Sequence, residues 1–174
     1  GSAEYDPQHR LTSVTRDGQT VRFAWDADGR RIAREAPGSR REFHYGPDGT
    51  LLFESENGQL ARSYVHVDGR LFAMVEAGAI RYFHFDHLGS TLALTDPAGA
   101  LVGTWGYDPA GRVTAGSGSP PVLFTFVGEF GVQAESGGLY VMGPRVYDSA
   151  TMRFLQLHPG GLAAGPHVYE YAAG

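Results

Sequence analysis

Residues 19–35 read QTVRFAWDADGRRIARE, and this stretch decides the fold. Apolar Val21, Phe23 and Trp25 alternate with polar or small residues, as in a strand with one buried face. The Asp-Gly dipeptide at positions 28 and 29 is typical of a tight hairpin turn, because these residues accept positive φ angles. A second alternating run begins at Arg31. The stretch therefore predicts a β-hairpin.

The same pattern recurs along the chain. Pairs that begin with an aromatic or apolar residue follow one another at intervals of 20, 20, 20, 20 and 22 residues: Tyr5-Asp6, Trp25-Asp26, Tyr45-Gly46, Val65-His66, Phe85-Asp86 and Tyr107-Asp108. A glycine follows each of the last five pairs at the same offset: Gly29, Gly49, Gly69, Gly89 and Gly111. A second glycine series falls midway: Gly18, Gly38, Gly58, Gly78 and Gly99. This repeat predicts two strands per unit and an all-β meander of consecutive antiparallel hairpins.

Composition narrows the function classes. The 174 residues carry a net charge of −5 and their basic side chains are scattered, so we expect no nucleic-acid partner. No apolar stretch is long enough to span a membrane. The chain has no cysteine, which excludes disulfides and thiolate metal sites. Gly1-Ser2 resembles a tag remnant.

Asp86, His87 and Ser90 suggest a hydrolase triad at first sight. However, Asp86 occupies the slot of Asp26 and Asp108, directly before a turn glycine. An Asp at that position ordinarily accepts backbone N–H bonds within the turn. We therefore expect turn roles for the residues of this slot: Asp26, Gly29, Gly49, Gly69, Asp86, Gly89, Asp108 and Gly111.

The histidines suggest a metal site at first sight. His44 and His84 lie two repeats apart, which is roughly 19 Å across a sheet and too far for one ion. We therefore expect no metal and no cofactor.

The repeats resemble a known family. YDPQHRLTSVTRDG, WDADGRRI and YDPAGRVTAG are similar to YD repeats. The phrases DHLGS, GLYVMGPRVYD and RFLQLHPGGLAAGPHVYEY resemble the RHS repeat-associated core of bacterial RHS proteins and Tc toxin C subunits. Related sheets occur in teneurins. The resemblance implies a curved or spiral sheet that forms a hollow shell around a C-terminal toxin, closed by an aromatic-rich core plug.

The resemblance also implies a division of the chain. Residues 1–4 are a leader, residues 5–115 form the YD-repeat meander, and residues 116–174 form the plug, where the 20-residue period stops. About six repeats do not close a cavity, so the chain is expected to be part of a shell or a small stand-alone relative. An open meander leaves two sheet edges. We expect the plug or a second copy of the chain to cover them.

In the family, the plug is an aspartyl autoprotease that releases the toxin. Arg145 matches the family arginine, and His158 stands where the first catalytic aspartate is expected. The second aspartate is expected after residue 174. Two carboxylates are needed to share a proton and activate water. We therefore expect degenerate catalytic positions and no enzyme activity. Asp148 is expected to pair with Arg145 as a structural ion pair.

Three functions follow from these patterns. The first is a non-catalytic shell module that carries or retains a C-terminal effector, with that effector or the rest of the shell as its partner. The second is a disabled or reworked autoprotease that uses Arg145, Asp148 and His158. The third is a carbohydrate or cell-surface binding module. The resemblance implies a secreted or secretion-associated bacterial protein.

Overall fold

The computed structural model describes residues 1–16, 18–118 and 122–157, together with Tyr169 and Tyr171. These residues form two antiparallel sheets. The larger contains twelve strands, each paired with its neighbours in chain order: β1 (Ser2–Tyr5), β2 (Leu11–Arg16), β3 (Gln19–Trp25), β4 (Arg31–Ala36), β5 (Ser39–Tyr45), β6 (Leu51–Glu56), β7 (Gln59–Val67), β8 (Arg70–Glu76), β9 (Ala79–Phe85), β10 (Thr91–Thr95), β11 (Leu101–Tyr107) and β12 (Val113–Gly118). The predicted all-β meander of hairpins is confirmed.

The smaller sheet follows in the C-terminal unit, by which we mean residues 122–157. It contains β13 (Gln133–Glu135), β14 (Leu139–Met142), β15 (Arg145–Asp148) and β16 (Arg153–Phe154), again in chain order. Two 3-10 turns, Gly128–Phe130 and Ser136–Gly138, flank β13. Among the described residues, no helix has the length and apolar character needed to cross a lipid bilayer.

Successive hairpin turns lie at alternate ends of the larger sheet, so the two glycine series become two rows of turns. We call the turns at 26–29, 46–49, 68–69, 86–89 and 108–111 the first row. Turns of the second row include those at 37–38, 57–58, 77–78 and 96–99. The glycines of both rows have positive φ angles.

Two turns differ from the slots that the repeat predicts. Gly69 forms a two-residue hairpin with Asp68, between the paired residues Val67 and Arg70. Its slot lacks the leading aspartate. The slot of Gly49 lacks it too and still forms a four-residue loop, in which the Gly46 carbonyl accepts the Gly49 N–H at 3.0 Å, so the aspartate alone does not set the loop length. By contrast, Gly99 ends a four-residue loop that begins with an aspartate. In this loop Asp96 Oδ1 accepts N–H bonds from Ala98 and Ala100 at 2.9 Å each.

The larger sheet curls around the C-terminal unit and buries one face against it. Near one end of the sheet, side chains of β2 and β3 pack on those of the smaller sheet: Leu11, Val14, Val21 and Phe23 on Leu139, Val141 and Val146. In the middle, a second cluster surrounds the segment that enters the C-terminal unit: Phe43, Leu51, Tyr64, Leu71, Met74, Phe83 and Leu94 around Val122, Leu123 and Phe124. We call the buried face the inner face.

A third cluster gives the C-terminal unit a packing centre of its own. It comprises Phe126, Val132, Tyr140, Tyr147 and Phe154, with Tyr107 of β11 against it. Because β2–β3 and β11 both contact this small unit, the intervening strands must curve around it. The aromatic core that the sequence predicts is therefore present.

Four bulges place apolar side chains on the outer face at the repeat interval. Each bulge contains one residue that has no partner on the preceding strand, and it lies next to a turn of the first row. These residues are Ile32, Leu52, Phe72 and Leu92. These side chains are exposed by 39%, 43%, 47% and 43%, respectively. The residue before each bulge is buried and the bulge residue is exposed, so the four side chains face outward.

The two edges of the larger sheet are β1 and β12, and each pairs with one neighbouring strand among the described residues. The C-terminal unit covers the inner face and adds no strand to either edge, so the expectation that this unit or a second copy of the chain covers the edges stays a prediction. Strand β12 runs to Gly118, three residues past the boundary expected at position 115. Strand β1 includes most of the expected leader.

Candidate functional site

The interface between the first turn row and the C-terminal unit depends on glycine. A Cβ built on Gly89 would lie 2.5 Å from the ring of Phe130, and one on Gly111 would lie 2.7 Å from the ring of Phe126. At Gly29 the nearest atom, in Pro144, is 3.0 Å away. By contrast, second-row glycines such as Gly99 have no neighbour within 4 Å of that position. Three turns of the first row, those of Gly29, Gly89 and Gly111, therefore combine turn formation with docking, whereas Gly49 and Gly69 have no atom of the C-terminal unit within 4 Å of that position.

Hydrogen bonds tie the β11–β12 turn to the smaller sheet. Tyr140 Oη donates to the Gly111 carbonyl at 2.7 Å, and Tyr147 Oη donates to the Ala110 carbonyl at 3.0 Å. Burial raises the pKa of both phenols, so they remain donors at neutral pH. Arg112 Nε also reaches the Ser149 carbonyl at 3.2 Å.

The other end of the larger sheet, at β1 and β2, also contacts the C-terminal unit. Arg16 Nη2 lies 2.6 Å from Asp148 Oδ2, and the side chain of Asp148 is only 4% exposed. Tyr5 Oη donates to the Leu155 carbonyl at 2.9 Å. The C-terminal unit thus joins strands of both ends of the meander, which fixes the curvature of the sheet.

A buried ion-pair network holds the middle of the interface. Arg31 Nη1 lies 2.9 Å from Glu135 Oε2, and the two side chains are 0% and 3% exposed. Arg31 also donates to Gln133 Oε1 through Nε at 3.2 Å and Nη2 at 2.9 Å. Arg34 binds both oxygens of Glu135 at 2.8–3.0 Å. We call Arg31, Arg34, Gln133 and Glu135 the clamp.

Aromatic rings contact the arginine of the clamp, and burial and neighbouring charges shift the pKa values of its residues. The Arg31 guanidinium lies 4.4 Å from the ring centroid of Phe43 and 5.6 Å from that of Phe23, within cation–π range. Burial lowers the pKa of Arg31, but an arginine remains charged at neutral pH. Burial alone would raise the pKa of Glu135, yet the hydrogen bond from Arg34 and the charges of both arginines hold it below its usual value.

Two of the proposed catalytic positions, Arg145 and Asp148, do not pair with each other. Arg145 lies at the start of β15, with its guanidinium 3.4 Å from the ring centroid of Phe154. Its Nη1 atom is buried and has no hydrogen-bond partner among the described residues, and burial lowers the pKa of its guanidinium. Asp148 pairs with Arg16 and not with Arg145, because β15 directs it toward β2. His158 lies outside the described residues.

Asp86 has a turn role and takes part in no triad among the described residues. Its Oδ1 atom accepts N–H bonds from Leu88 at 2.9 Å and Ser90 at 2.8 Å. Ser90 is only 1% exposed, and its hydroxyl accepts the Val127 N–H at 3.0 Å. This serine therefore anchors the C-terminal unit and is closed to a substrate.

Other residues of that slot act in the same way. Asp26 Oδ1 accepts the Arg30 N–H at 2.8 Å, and Asp108 Oδ1 accepts the Ala110 and Arg112 N–H groups at 2.9 Å each. In the slots that lack the aspartate, Gly49 and Gly69 close their turns through positive φ angles of 83° and 74°.

The histidines of the repeats have structural partners. His44 stacks on Phe53 with centroids 4.2 Å apart, and His84 Nε2 lies 2.8 Å from Thr95 Oγ1. Within the described ranges, no group of three or more His, Asp or Glu side chains is arranged to hold a metal ion.

Sequence reasoning did not identify the clamp. Arg31 looks like one more polar residue of a repeat, and Glu135 lies 104 residues further along the chain. One weak signal exists: Arg31 begins a strand at a position where the later units have Leu51 and Leu71, which are buried in the core. An arginine at a core position requires a buried partner.

The comparisons with known proteins agree with this architecture. The sequence matches the family model described as Teneurin YD-shell over residues 2–159. No curated protein matches the sequence. Among solved structures, the fold is similar to a chain of the Photorhabdus luminescens Tc holotoxin pore with a mutation in TccC3, at a TM-score of 0.69 and 17% identity. That similarity covers 97% of this chain and 9% of the other.

Two further structures give similar values. For TcdB2-TccC3-Cdc42 the TM-score is 0.70 at 16% identity, with 97% of this chain and 9% of the other covered. For TcdB2-TccC3 the TM-score is 0.69 at 16% identity, with 97% and 10% covered. The chain thus spans about a tenth of the length of these structural relatives. The family match extends from the first strand through the smaller sheet, and the chain therefore belongs to the Teneurin YD-shell family.

Proposed function

We propose that this chain is a structural shell module: a length of YD-repeat wall together with the unit that packs on its inner face. The observation that carries the proposal is the attachment of the C-terminal unit to both ends and the middle of one curved sheet. Such a unit sets the curvature of the wall. The structural relatives are Tc toxin assemblies, one of them described without its hypervariable C-terminal region. This supports a role in enclosing a C-terminal effector.

The partners and location follow from that role. Edge strands β1 and β12 have free hydrogen-bonding sides in the described part of the chain, and further strands of a shell are their natural partners. A second copy of the chain is the alternative partner. We propose a secreted or secretion-associated location, because the similar structures are toxin complexes.

Limited proteolysis of the natural full-length protein tests the shell role. We expect the region that follows this chain to resist protease while the shell is closed. Glu135→Gln removes the carboxylate of the clamp, so that region should become accessible sooner. Glu35→Gln is the matched control, because Glu35 forms an exposed pair with Arg40. Equal and immediate cleavage in all three proteins would overturn the shell role.

We further propose that the chain has no catalytic activity in this form. A shared-proton carboxylate pair is required for aspartyl chemistry, and His158 replaces one expected member. Intact mass measurements over days should show one species. In a chain extended through its native downstream residues, His158→Asp should restore self-cleavage and the unchanged form should not cut. Cleavage of the His158 form would contradict this proposal without affecting the shell role.

A second candidate function is carbohydrate or cell-surface binding, and the outer face favours it. Phe53 and Phe72 are exposed by 36% and 47%, and the Phe72 ring lies 5.4 Å from that of Tyr82. Exposed aromatic rings of this kind are typical of binding surfaces. A glycan array with wild type and Phe72→Ala tests it. Binding that is lost in the variant supports this function, and the absence of binding in both proteins excludes the glycans tested.

A further inference from the structure

Strand β12 is a sheet edge without the side chains that usually prevent an edge from pairing with another chain. Among the described residues it pairs with β11 alone. Its six residues, VTAGSG, include no charged residue and no proline, although charges and prolines commonly protect natural edges. Residues 113–117 are all exposed. The backbone donors and acceptors on the unpaired side of β12 are therefore available to a further strand.

The other edge, β1, is less suited to accept a strand. It has four residues and carries a charged side chain, Glu4, which accepts a hydrogen bond from Ser13 at 2.8 Å. On its inner face, Tyr5 donates to the Leu155 carbonyl of the C-terminal unit. Side chains thus occupy the inner face beside β1.

Glycine leaves the inner face beside β12 without a large side chain. Gly116 lies opposite Trp105 of β11 in the strand register. The Trp105 ring covers Gly103 on its own strand, because a Cβ built there would lie 2.6 Å from the ring atom Cη2. By contrast, a Cβ on Gly116 would have no atom closer than 3.5 Å, and Gly116 has no positive φ angle. The fold therefore requires glycine at position 103 but not at position 116, which leaves space next to Trp105.

An open cavity of about 430 Å³ lies at this space, between β11–β12 and the C-terminal unit. Trp105 and Val113 line it from the sheet, and Val122 and Tyr140 line it from the C-terminal unit. Among the described residues that line it, Glu135 alone is charged, and its carboxylate already binds both arginines of the clamp. The cavity therefore suits an uncharged, largely apolar side chain.

We propose that β12 binds an extended segment of a partner protein by strand addition, with one large apolar side chain of that segment in the cavity. A strand added to a sheet lies about 4.8 Å from its neighbour. Because Gly116 has no side chain, an inward-facing leucine or aromatic residue of the partner reaches across it to the Trp105 ring. Backbone hydrogen bonds provide the affinity in this binding mode, and the cavity provides the specificity. The inference rests on the proposed shell role, which leaves the chemistry of the partner of β12 open.

Selection from a displayed library of short random peptides against the whole chain tests the proposal. We expect enrichment of sequences in which large apolar residues occur at every second position, because alternate side chains of a strand face the same side. For a synthetic enriched peptide, Gly116→Leu should weaken binding by about ten-fold or more in fluorescence anisotropy, since the new side chain fills the space beside Trp105. Ala115→Leu is the matched control on the opposite face of β12, and it should leave the affinity unchanged.

N-methylation of the same peptide tests the backbone contacts on the wild type, and it decides if Gly116→Leu does not fold. Successive N–H groups of a strand point to opposite sides, so only every second one faces β12. Methyl groups on that alternate set should abolish binding, and methyl groups on the other set should leave it unchanged. Equal effects of the two sets would rule out strand addition.

Three further results would overturn the proposal: a selection without enrichment, peptide binding that folded Gly116→Leu retains, and a wild-type dimer in light scattering that Gly116→Leu dissociates. The last result would assign β12 to a second copy of the chain. Protection of the downstream region from protease is measured separately, so the peptide site and the shell role can fail independently.

Discussion

Replacement of Glu135 by glutamine should detach the C-terminal unit from the sheet, because it removes the carboxylate that contacts both Arg31 and Arg34. The Arg31 side chain is fully buried, and the carboxylate is 2.9 Å from it. Removal of one partner from a buried ion pair costs roughly 3–5 kcal/mol, since the other charge is left without compensation. We expect Glu135→Gln to lower the free energy of unfolding by about this amount.

Urea unfolding followed by circular dichroism measures this loss, with Glu35→Gln as the control for an exposed pair. The side chains of Glu35 and Arg40 are 45% and 53% exposed, so the control should lose only a small fraction of that free energy. In the double variant Arg31→Met, Glu135→Gln, the uncompensated charge is gone. Its stability should therefore exceed that of Glu135→Gln alone. Equal losses for Glu135→Gln and Glu35→Gln would refute the reasoning.

The pH dependence of the same variant provides an independent check. The folded protein holds the pKa of Glu135 below its ordinary value of 4.5. A lowered pKa means that the stabilisation is complete above about pH 4.5 and is lost as the pH falls through the folded value. The difference in unfolding free energy between wild type and Glu135→Gln should therefore shrink in acid. A difference that stays constant from neutral pH to pH 3 would contradict the assignment.

Turn chemistry and docking each allow a further test. Asp26→Ala should destabilise the protein by about 1 kcal/mol or more in urea unfolding, because a backbone N–H of the β3–β4 turn loses its acceptor. The neighbouring change Asp28→Ala removes only a 71% exposed carboxylate and should have a much smaller effect. Gly111→Ala and Gly99→Ala both place a methyl group at a positive φ, at +84° and +82°. Gly111→Ala should lower the thermal midpoint more, by the equivalent of about 1–3 kcal/mol, because only its methyl group meets an aromatic ring. Equal midpoints for the two glycine variants would show that the docking contact adds nothing.

Local sequence determined the hairpins of this protein. Tight turns and half-buried strands depend on φ preferences, aspartate acceptors and alternation over a few residues, and all of these are visible in QTVRFAWDADGRRIARE. Two turns, at Gly69 and Gly99, differ from the repeat. Asp96 begins the Gly99 loop, but the leading aspartate is not the whole signal, because the 46–49 loop forms without one whereas the Gly69 slot forms a two-residue turn.

Tertiary structure decided the partners across the interface. Arg31 meets Glu135 and Arg16 meets Asp148 only because the sheet curls around the C-terminal unit, which brings together residues 104 and 132 positions apart. Nothing in the spacing of these residues distinguishes Asp148 as a partner of Arg16 from Asp148 as a partner of Arg145. Turn preferences act within a few residues, whereas ion pairing depends on the distance between side chains after the chain has folded. The repeat therefore determined the hairpins of the larger sheet, and the curvature of that sheet determined which side chains contact the C-terminal unit.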